Sequence, residues 1–370
     1  MRIVSLRTAV LRRTYDGTLR NTRHAWNAKH YVLVELATDT GLRGYGEMYC
    51  DGGGAPGVAV AMLREEMAPH VVGHDAMRPA ALAFALQSRM ALSARGAAAT
   101  SALSAVDIAA WDLLGKASGR PLHELLGGAT EGVSVYASGG MYGDGYTPAA
   151  VAAEMAAAQR AGLAGAKIKV GGAALEEDLE RLARTREAIG PGARLMADAM
   201  FQPSVPEAIA LARAASRHAL HFLEAPTAMD DARGWREIRS AGGIPLAGPE
   251  LSASLHLMRG LVETSAVDYL QYDVAIAGGI TVGRQLAGFA AIHRRPVTLH
   301  CAASAIAMAA AAHLGTAIGN CDSLEFHVMH DGLRERLWSS GWRLRDGRLQ
   351  PSSLPGLGVA LDDDLAMFSE

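Results

Sequence analysis

Short apolar runs that close on a polar residue recur through the second half of the chain. From residue 133 onward they alternate with stretches of helical spacing, and three of them end in acids at even steps. Asp198 and Glu224 are 26 residues apart, and Glu250 follows after another 26. A strand, a loop and a helix leading to the next parallel strand need about 25–30 residues. The pattern therefore predicts successive βα units.

Eight candidate strand ends fit this series, namely Tyr136, Lys169, Asp198, Glu224, Glu250, Asp273, His300 and Glu325. Eight βα units at this pitch predict a (β/α)₈ barrel, in which the C-terminal ends of the strands form the active-site face. A doubly wound open sheet is the alternative. The chain has no strand–Gly-x-Gly-x-x-Gly–helix motif that would support it.

The first part of the chain has a different pattern. Strand-like alternation covers residues 2–10 and 30–37, and a turn leads into a third short strand at 43–47. Apolar residues at helical spacing then predict helices over residues 58–67, 79–93 and 98–116. These elements predict a small α+β domain that caps the barrel.

The chain length agrees with more than one domain, because 370 residues exceed one ordinary domain. We expect a capping domain over residues 1–128, a barrel over 129–330, and a C-terminal segment over 331–370. The hairpin-like stretch at 341–349 is expected to pack against the cap. Half of the residues are apolar and 20% are charged, which is typical of a soluble globular enzyme.

Charge and cysteine usage exclude several partner classes. A net charge of −3 without a long basic face argues against nucleic acid. Residues 1–13 alternate like a strand and lack the apolar core of a signal peptide. The alanine-rich stretch 301–319 predicts a buried helix rather than a membrane span. Only Cys50, Cys301 and Cys321 are present, which gives no disulfide framework or zinc site and favours a reducing cytoplasm.

Two polar segments near the N-terminus suit a lid. Residues 14–29 are predicted to form a loop that contains Arg23, His24 and Trp26, and a glycine-rich loop at 51–57 follows Tyr49. Mobile loops with cationic and aromatic side chains suit closure over an anionic small molecule. A solvated surface loop is the alternative interpretation. In the lid hypothesis, these four side chains bind the substrate and set its identity.

Three carboxylates at neighbouring strand ends predict a metal site. Asp198, Glu224 and Glu250 would meet at one end of a parallel sheet, where their charges repel unless a cation lies between them. Mg²⁺ prefers oxygen ligands of this kind. Three unrelated acids at loop starts are the alternative.

Two lysines and a histidine complete the candidate chemistry. Lys167 and Lys169 are two positions apart, so on a strand both point into the barrel. Neighbouring like charges and partial burial lower a lysine pKa, which would make Lys169 a base and leave Lys167 to hold a substrate carboxylate. An ion pair with the nearby acids is the alternative. Asp273 can orient His300 as a second base. Glu325, if protonated, can donate to a developing oxyanion.

Taken together these residues resemble the enolase superfamily, and within it the mandelate racemase subgroup. The resemblance covers nearly the whole chain and includes the helix at 102–116, the Lys167-x-Lys169 pair, residues 222–226 around Glu224, residues 277–281, and the acids and bases named above. It implies a modified TIM barrel, (β/α)₇β, with an α+β cap completed by the C-terminal segment. It also implies Mg²⁺ on the three acids, acid/base roles for Lys169 and the His300–Asp273 pair, an electrophilic Glu325, and commonly a homo-oligomer.

Three positions depart from the pattern of related sequences. Met200 stands where Asn is often found, Ala225 where a second acid is often found, and Pro249 where Gly is common. None of these removes a metal ligand. The apolar Met200 places the usual substrate contacts in doubt.

The same machinery allows two reactions on a hydroxy or sugar acid. One is a dehydratase that removes the α proton, through a stabilised enediolate, and expels the β hydroxyl to give a 2-keto-3-deoxy acid. The other is a racemase or epimerase that uses Lys169 and His300 on opposite faces. A third hypothesis is a non-catalytic binding protein, which retention of all these groups disfavours. The sequence names neither the acid nor the residue that takes the proton.

Overall fold

The computed structural model describes residues 1–50, 55–90 and 96–360. The chain begins with a three-stranded antiparallel sheet in the order β1 (Ile3–Arg20), β2 (Ala25–Thr38) and β3 (Arg43–Met48). Helical elements follow, which are α1 (Pro56–Ala61), a π-helical stretch (Met62–Met67), α2 (Ala68–Val71), α3 (Pro79–Met90), α4 (Ala97–Ser118) and α5 (Leu122–Leu125). The predicted α+β cap is confirmed.

The cap is built around α4, which packs across β3. The close approach requires glycine, because a Cβ on Gly46 would lie 1.9 Å from the backbone oxygen of Ala105. This helix is long and apolar enough to cross a membrane by composition. Most of its side chains are nevertheless buried inside the protein, as expected of a core helix.

Eight parallel strands form the second part of the chain. They are β4 (Val133–Gly139), β5 (Gly165–Lys169), β6 (Arg194–Asp198), β7 (Leu220–Glu224), β8 (Leu246–Gly248), β9 (Tyr269–Asp273), β10 (Val297–His300) and β11 (Cys321–His327). Each strand pairs with the next, and β11 pairs with β4 through Leu324 opposite Val135, so the sheet closes. The predicted barrel is confirmed.

Helices cover the outside of the barrel. Between consecutive strands lie α6 (Pro148–Arg160), α7 (Leu175–Ile189), α8 (Val205–Ala215) with a 3₁₀ turn (Ser216–His218), α9 (Ala232–Gly242), α10 (Leu255–Glu263), α11 (Gly279–Ile292) and α12 (Ala305–Ala317). After β11 come a 3₁₀ turn (Val328–His330) and α13 (Asp331–Ser339). Seven connecting helices and eight strands match the (β/α)₇β pattern.

The barrel interior is apolar at one end and polar at the other. Tyr136, Met196, Phe222 and Ala247 pack together inside the barrel. The last residues of β5, β6, β7, β9 and β10 are all polar and face the opposite end. The apolar floor leaves the C-terminal ends of the strands as the place where polar side chains meet.

One prediction about the edge of the cap was wrong. Residues 14–29 are mostly strand, since β1 runs to Arg20, β2 starts at Ala25, and only the turn lies between them. Most residues in this part of the hairpin are exposed, so the amino-acid composition is polar like that of a loop. The backbone nevertheless forms β-sheet pairs between β1 and β2. Of the glycine-rich loop at 51–57, residues 51–54 lie outside the described residues.

The C-terminal hairpin forms as predicted, with β12 (Arg343–Arg345) and β13 (Arg348–Gln350), but its position was predicted wrongly. It extends the barrel sheet, because β13 pairs with Val133 and Ser134 at the start of β4, ahead of the residues that pair with β5 and β11. The segment that follows reaches the cap, where Leu357 donates its backbone N–H to Asp112 at 2.7 Å. The acidic run at 362–364 lies outside the described residues.

Candidate active site

The strand ends bring the predicted polar residues together as the parallel register requires. Lys169 lies opposite Asp198 across β5 and β6, and Asp198 lies opposite Glu224 across β6 and β7. His300 lies opposite Asp273 across β10 and β9. Three predicted strand ends are displaced. Strands β4 and β11 continue for a few residues beyond Tyr136 and Glu325, and Glu250 lies two residues past the end of β8.

Asp198, Glu224 and Glu250 form one buried carboxylate cluster, with one ligand oxygen of each within 4.8 Å of the others. Among the residues that the structure describes, neither carboxylate oxygen of Glu250 has a hydrogen-bond partner. Burial raises the pKa of Glu250 well above its usual value, and the charges of Glu224 and Asp198 add to this. Burial likewise raises the pKa of Glu224 to about 7, with Lys167 opposing it and Asp198 and Glu325 reinforcing it.

These properties fit a divalent cation. Three acids this close cannot all ionise without a compensating charge, and a hard cation with oxygen ligands supplies that charge. The two carboxylate oxygens of Glu250 are buried acceptors without a donor, which is the environment that a metal ligand needs. Asp198, Glu224 and Glu250 are therefore the residues that could hold Mg²⁺.

The two lysines form ion pairs in the site. Lys167 Nζ lies 2.6 Å from Glu224 Oε1 and 3.1 Å from Glu325 Oε1, and Lys169 Nζ donates to Asp198 Oδ2. Burial alone would lower the pKa of Lys167, but Glu224 and Glu325 raise it well above its usual value. The alternative left open for the two lysines, an ion pair with the nearby acids, is what the structure shows for both of them. Lys167 is a fixed positive charge.

His300 and Asp273 form the predicted pair, with Nδ1 2.7 Å from Asp273 Oδ2. The other ring nitrogen, Nε2, lies 3.5 Å from Glu325 Oε2. Burial opposes protonation of His300, but Glu325 and Asp273 raise its pKa. Burial would also favour a protonated Glu325, yet Lys167 and His300 hold the pKa of that carboxyl well below its usual value. These neighbours favour the ionised form of Glu325 over the protonated form considered from the sequence.

A pocket opens above these groups and is covered by the cap. Lys169, Glu250, His300 and Glu325 line its barrel side. Of the four predicted lid residues, Trp26 and Tyr49 line the cap side. Arg23 and His24 lie in the hairpin turn with exposed side chains and do not line this pocket.

Sequence reasoning missed further pocket residues, namely Asn21, Lys29, Met141, Leu251, Ala302, His327 and Met329. Lys29 is only 4% exposed, and its ammonium donates to the backbone oxygen of Ala302 in the loop after β10. It precedes the buried Tyr31 and Leu33 by two and four positions on one strand face. A strand assignment for residues 25–38 would have revealed Lys29 as an inward-facing cation.

Comparison with known proteins agrees with this geometry. Residues 7–127 match the family model described as "Mandelate racemase / muconate lactonizing enzyme, N-terminal domain". Residues 150–365 match the model described as "Enolase C-terminal domain-like". The chain belongs to the mandelate racemase/muconate lactonizing enzyme family. It is an enzyme, and the family resemblance noted from the sequence is confirmed.

Similar members of this family include proteins with different named activities. The chain is 29% identical over 374 residues to a D-galactarolactone cycloisomerase of Agrobacterium fabrum, covering 98% of this chain and 97% of that one. It is 28% identical over 339 residues to an arabinonate dehydratase of Saccharolobus solfataricus, covering 90% and 88%. A crystal structure of a racemase from Streptomyces coelicolor with bound magnesium superposes with a TM-score of 0.88, at 28% identity, over 98% of each chain.

The carboxylate cluster predicts how the stability of this family member depends on pH. The folded pKa of Glu224 is about 7 against an ordinary 4.5, so the folded chain binds that proton more tightly than the unfolded chain does. Such a group loses its stabilising effect as pH rises from its unfolded to its folded pKa. Without added Mg²⁺, the contribution of Glu224 to the free energy of unfolding should therefore fall between about pH 4.5 and about pH 7, and Glu250 acts in the same direction.

Added Mg²⁺ should reverse this loss, because its charge offsets the repulsion that appears as the acids ionise. Thermal unfolding followed by circular dichroism across this pH range, with Mg²⁺ and with EDTA, checks the prediction. A midpoint gain from Mg²⁺ that is the same at both ends of the range would contradict it.

Proposed function

We propose that this enzyme catalyses the Mg²⁺-dependent dehydration of a sugar acid to a 2-keto-3-deoxy acid. The observation that carries the proposal is the location of two proton-handling side chains, Lys169 and His300, in one pocket with the buried carboxylate cluster. The dehydratase among the similar relatives supports the same class of reaction. We further propose that residues 1–128 act as the cap and 129–330 as the catalytic barrel, with 331–370 joining them.

The binding step depends on fixed charge. Asp198, Glu224 and Glu250 would hold Mg²⁺, which when bound supplies positive charge to a substrate carboxylate and to the charge that develops on proton loss. Lys167 is buried beside the same cluster in ion pairs with Glu224 and Glu325, so its ammonium would hold a substrate carboxylate only by exchanging one of these partners. Trp26 and Tyr49 would contact the substrate from the cap.

The chemical step needs a base and an acid. Glu325 and Asp273 favour the imidazolium form of His300, so that ring is suited to give a proton. We assign the base to Lys169. In this scheme Lys169 acts as the neutral amine, released from its ion pair with Asp198, and the α C–H bond breaks with its proton going to Lys169. The β C–O bond then breaks as His300 delivers a proton to the leaving oxygen, which departs as water. The enol product tautomerises to the 2-keto acid.

Racemisation or epimerisation of a 2-hydroxy acid is the second candidate. It is favoured by the presence of both Lys169 and His300 in the pocket, since a base on each face could remove and return one proton. The similar protein from Streptomyces coelicolor is described as a racemase. The two candidates differ in whether a hydroxyl leaves.

Incubation of the purified enzyme with a panel of sugar acids and Mg²⁺ tests the proposal. Semicarbazide detects 2-keto products, and proton NMR in D₂O detects α-proton exchange. A 2-keto product from at least one acid is expected. Exchange with loss of chirality and no keto product would replace dehydration by the second candidate, and no exchange with any acid would reject both.

A further inference from the structure

A buried carboxylate of the cap contacts the barrel at the start of α12, four residues after His300. Glu47 lies on β3 and is only 1% exposed. Its oxygens accept hydrogen bonds from Ser304 N at 3.0 and 3.2 Å, from Ser304 Oγ at 2.6 Å, and from Ala307 N at 3.1 Å. These donors belong to the first turn of α12, which begins after its N-cap residue Ser304.

Glu47 supplies hydrogen-bond acceptors for the backbone N–H groups at the start of α12, although it is not part of that helix. The first backbone N–H groups of a helix lack partners within it, and a side chain near the N-cap usually accepts from them. Ser304 Oγ caps Ile306 N at 3.3 Å, and Glu47 takes the remaining N–H groups of Ser304 and Ala307. A negative charge at a helix N-terminus is also favourable. The start of α12 is therefore fixed in space by a residue of the cap.

The fixed helix end is separated from His300 by three residues, 301–303. The backbone of this short connection is held at every carbonyl. Lys29 of the cap donates to Ala302 O. Arg334 donates to Cys301 O at 3.0 Å and to Ala303 O at 3.3 Å. A connection this short and this well held transmits a displacement of its far end to the residue where it starts, because it has no slack to absorb one.

We propose that Glu47 is a positioning residue, which sets the orientation of His300 through residues 301–304 and so makes the proton-transfer geometry depend on the cap. His300 must keep Nδ1 on Asp273 while Nε2 faces the pocket. The cap then has two roles, since Trp26 and Tyr49 cover the pocket while Glu47 aligns a proton-handling group within it. The kinetic consequences rest on the proposed function, whereas the effect on His300 itself does not.

The first test observes His300 without any substrate. The proton between His300 Nδ1 and Asp273 is expected to give a downfield imidazole resonance, which a His300→Asn variant identifies by its disappearance. We expect Glu47→Gln to shift or abolish this resonance, because the amide places N–H groups against the N–H donors of Ser304 and Ala307. Glu35→Gln is the matched control, since Glu35 is a fully buried cap carboxylate on β2 that pairs with Arg7 on β1 and Arg43 on β3. The control should keep the resonance.

The second test measures catalysis with an acid that the enzyme turns over. Glu47→Gln is expected to lower kcat by roughly 10- to 100-fold and to leave KM within about threefold, because misplacement of a reacting group by about 1 Å costs rate rather than binding. In a His300→Asn background, Glu47→Gln should have no further effect on kcat. That lack of additivity separates positioning from a general loss of structure.

A milder variant keeps the proposal testable if Glu47→Gln folds poorly. Ser304→Ala removes only the 2.6 Å hydrogen bond to Glu47 and its own cap on Ile306, and it should change the resonance and kcat in the same direction by less. The proposal is overturned if the resonance is unchanged in both variants, or if Glu47→Gln is fully additive with His300→Asn. An inactive parent enzyme would reject the proposed function, and the resonance would still decide the role of Glu47.

Discussion

Replacing Glu250 with glutamine is expected to lower turnover by roughly 10³-fold or more, the scale of losing one strong electrostatic contact to the transition state. The same change should raise the thermal midpoint measured in EDTA near neutral pH. Both carboxylate oxygens of Glu250 are buried without a donor, and Glu224 and Asp198 repel their charge. A neutral amide removes that repulsion, so the variant gains stability while it loses a metal ligand.

Thermal unfolding with and without Mg²⁺ separates these effects. The parent should gain stability from Mg²⁺, by about 2.7 kcal/mol at a concentration 100 times the Kd, and Glu250→Gln should lose most of that gain. Glu35→Gln, a cap carboxylate remote from the pocket, should keep the full gain. A Glu250→Gln variant whose response to Mg²⁺ equals that of the parent would show that Glu250 does not hold the metal.

The barrel was predictable because its determinants are local and periodic. Each strand ends a short apolar run, and the register of a parallel sheet converts an even step in sequence into neighbours in space, as for Lys169, Asp198 and Glu224. Glu250 was found by the same spacing although it lies beyond its strand. Whether Glu250 joins the carboxylate cluster depends on the path of the chain after β8. The even spacing of the strand ends in the sequence does not predict that path.

The cap contributions were not predictable in the same way. The hairpin at 14–29 is solvated over most of its length, so hydrophobic alternation, the usual evidence for a strand, is weak there. Glu47 lies 257 residues before its partner Ser304, and no motif in either segment indicates the contact. The ion pairs of Lys167 stayed an alternative for a related reason. Strand alternation shows that the two lysines point to the same side of the strand. It does not show that the carboxylates of Glu224 and Glu325 lie within ion-pair distance of Lys167.

Substitutions of Lys169 and of His300 are expected to affect different steps of the reaction. Lys169→Ala should abolish both 2-keto product and α-proton exchange in D₂O, because it removes the proposed base. His300→Asn should slow product formation but retain exchange, because loss of the acid hinders departure of the hydroxyl and not removal of the proton. Each loss should be roughly 10²- to 10⁴-fold in rate, the usual contribution of a positioned acid or base.

Matched controls exist for both changes. Lys116→Ala breaks a lysine–carboxylate pair with Asp112 in the cap, at 2.7 Å. His221→Asn breaks a histidine–carboxylate pair with Asp322, at 3.1 Å, near the starts of β7 and β11. Both controls should leave exchange and product rates near those of the parent, since neither residue lines the pocket.

The pattern of retained exchange assigns the roles. Exchange that persists in Lys169→Ala and vanishes in His300→Asn would make His300 the base, in spite of the neighbours that favour its imidazolium form. Retention of exchange in each single variant, on opposite faces of the α carbon, would indicate that both groups act as bases, as the racemase or epimerase candidate requires. Full exchange in the double variant would contradict proton transfer by this pair altogether.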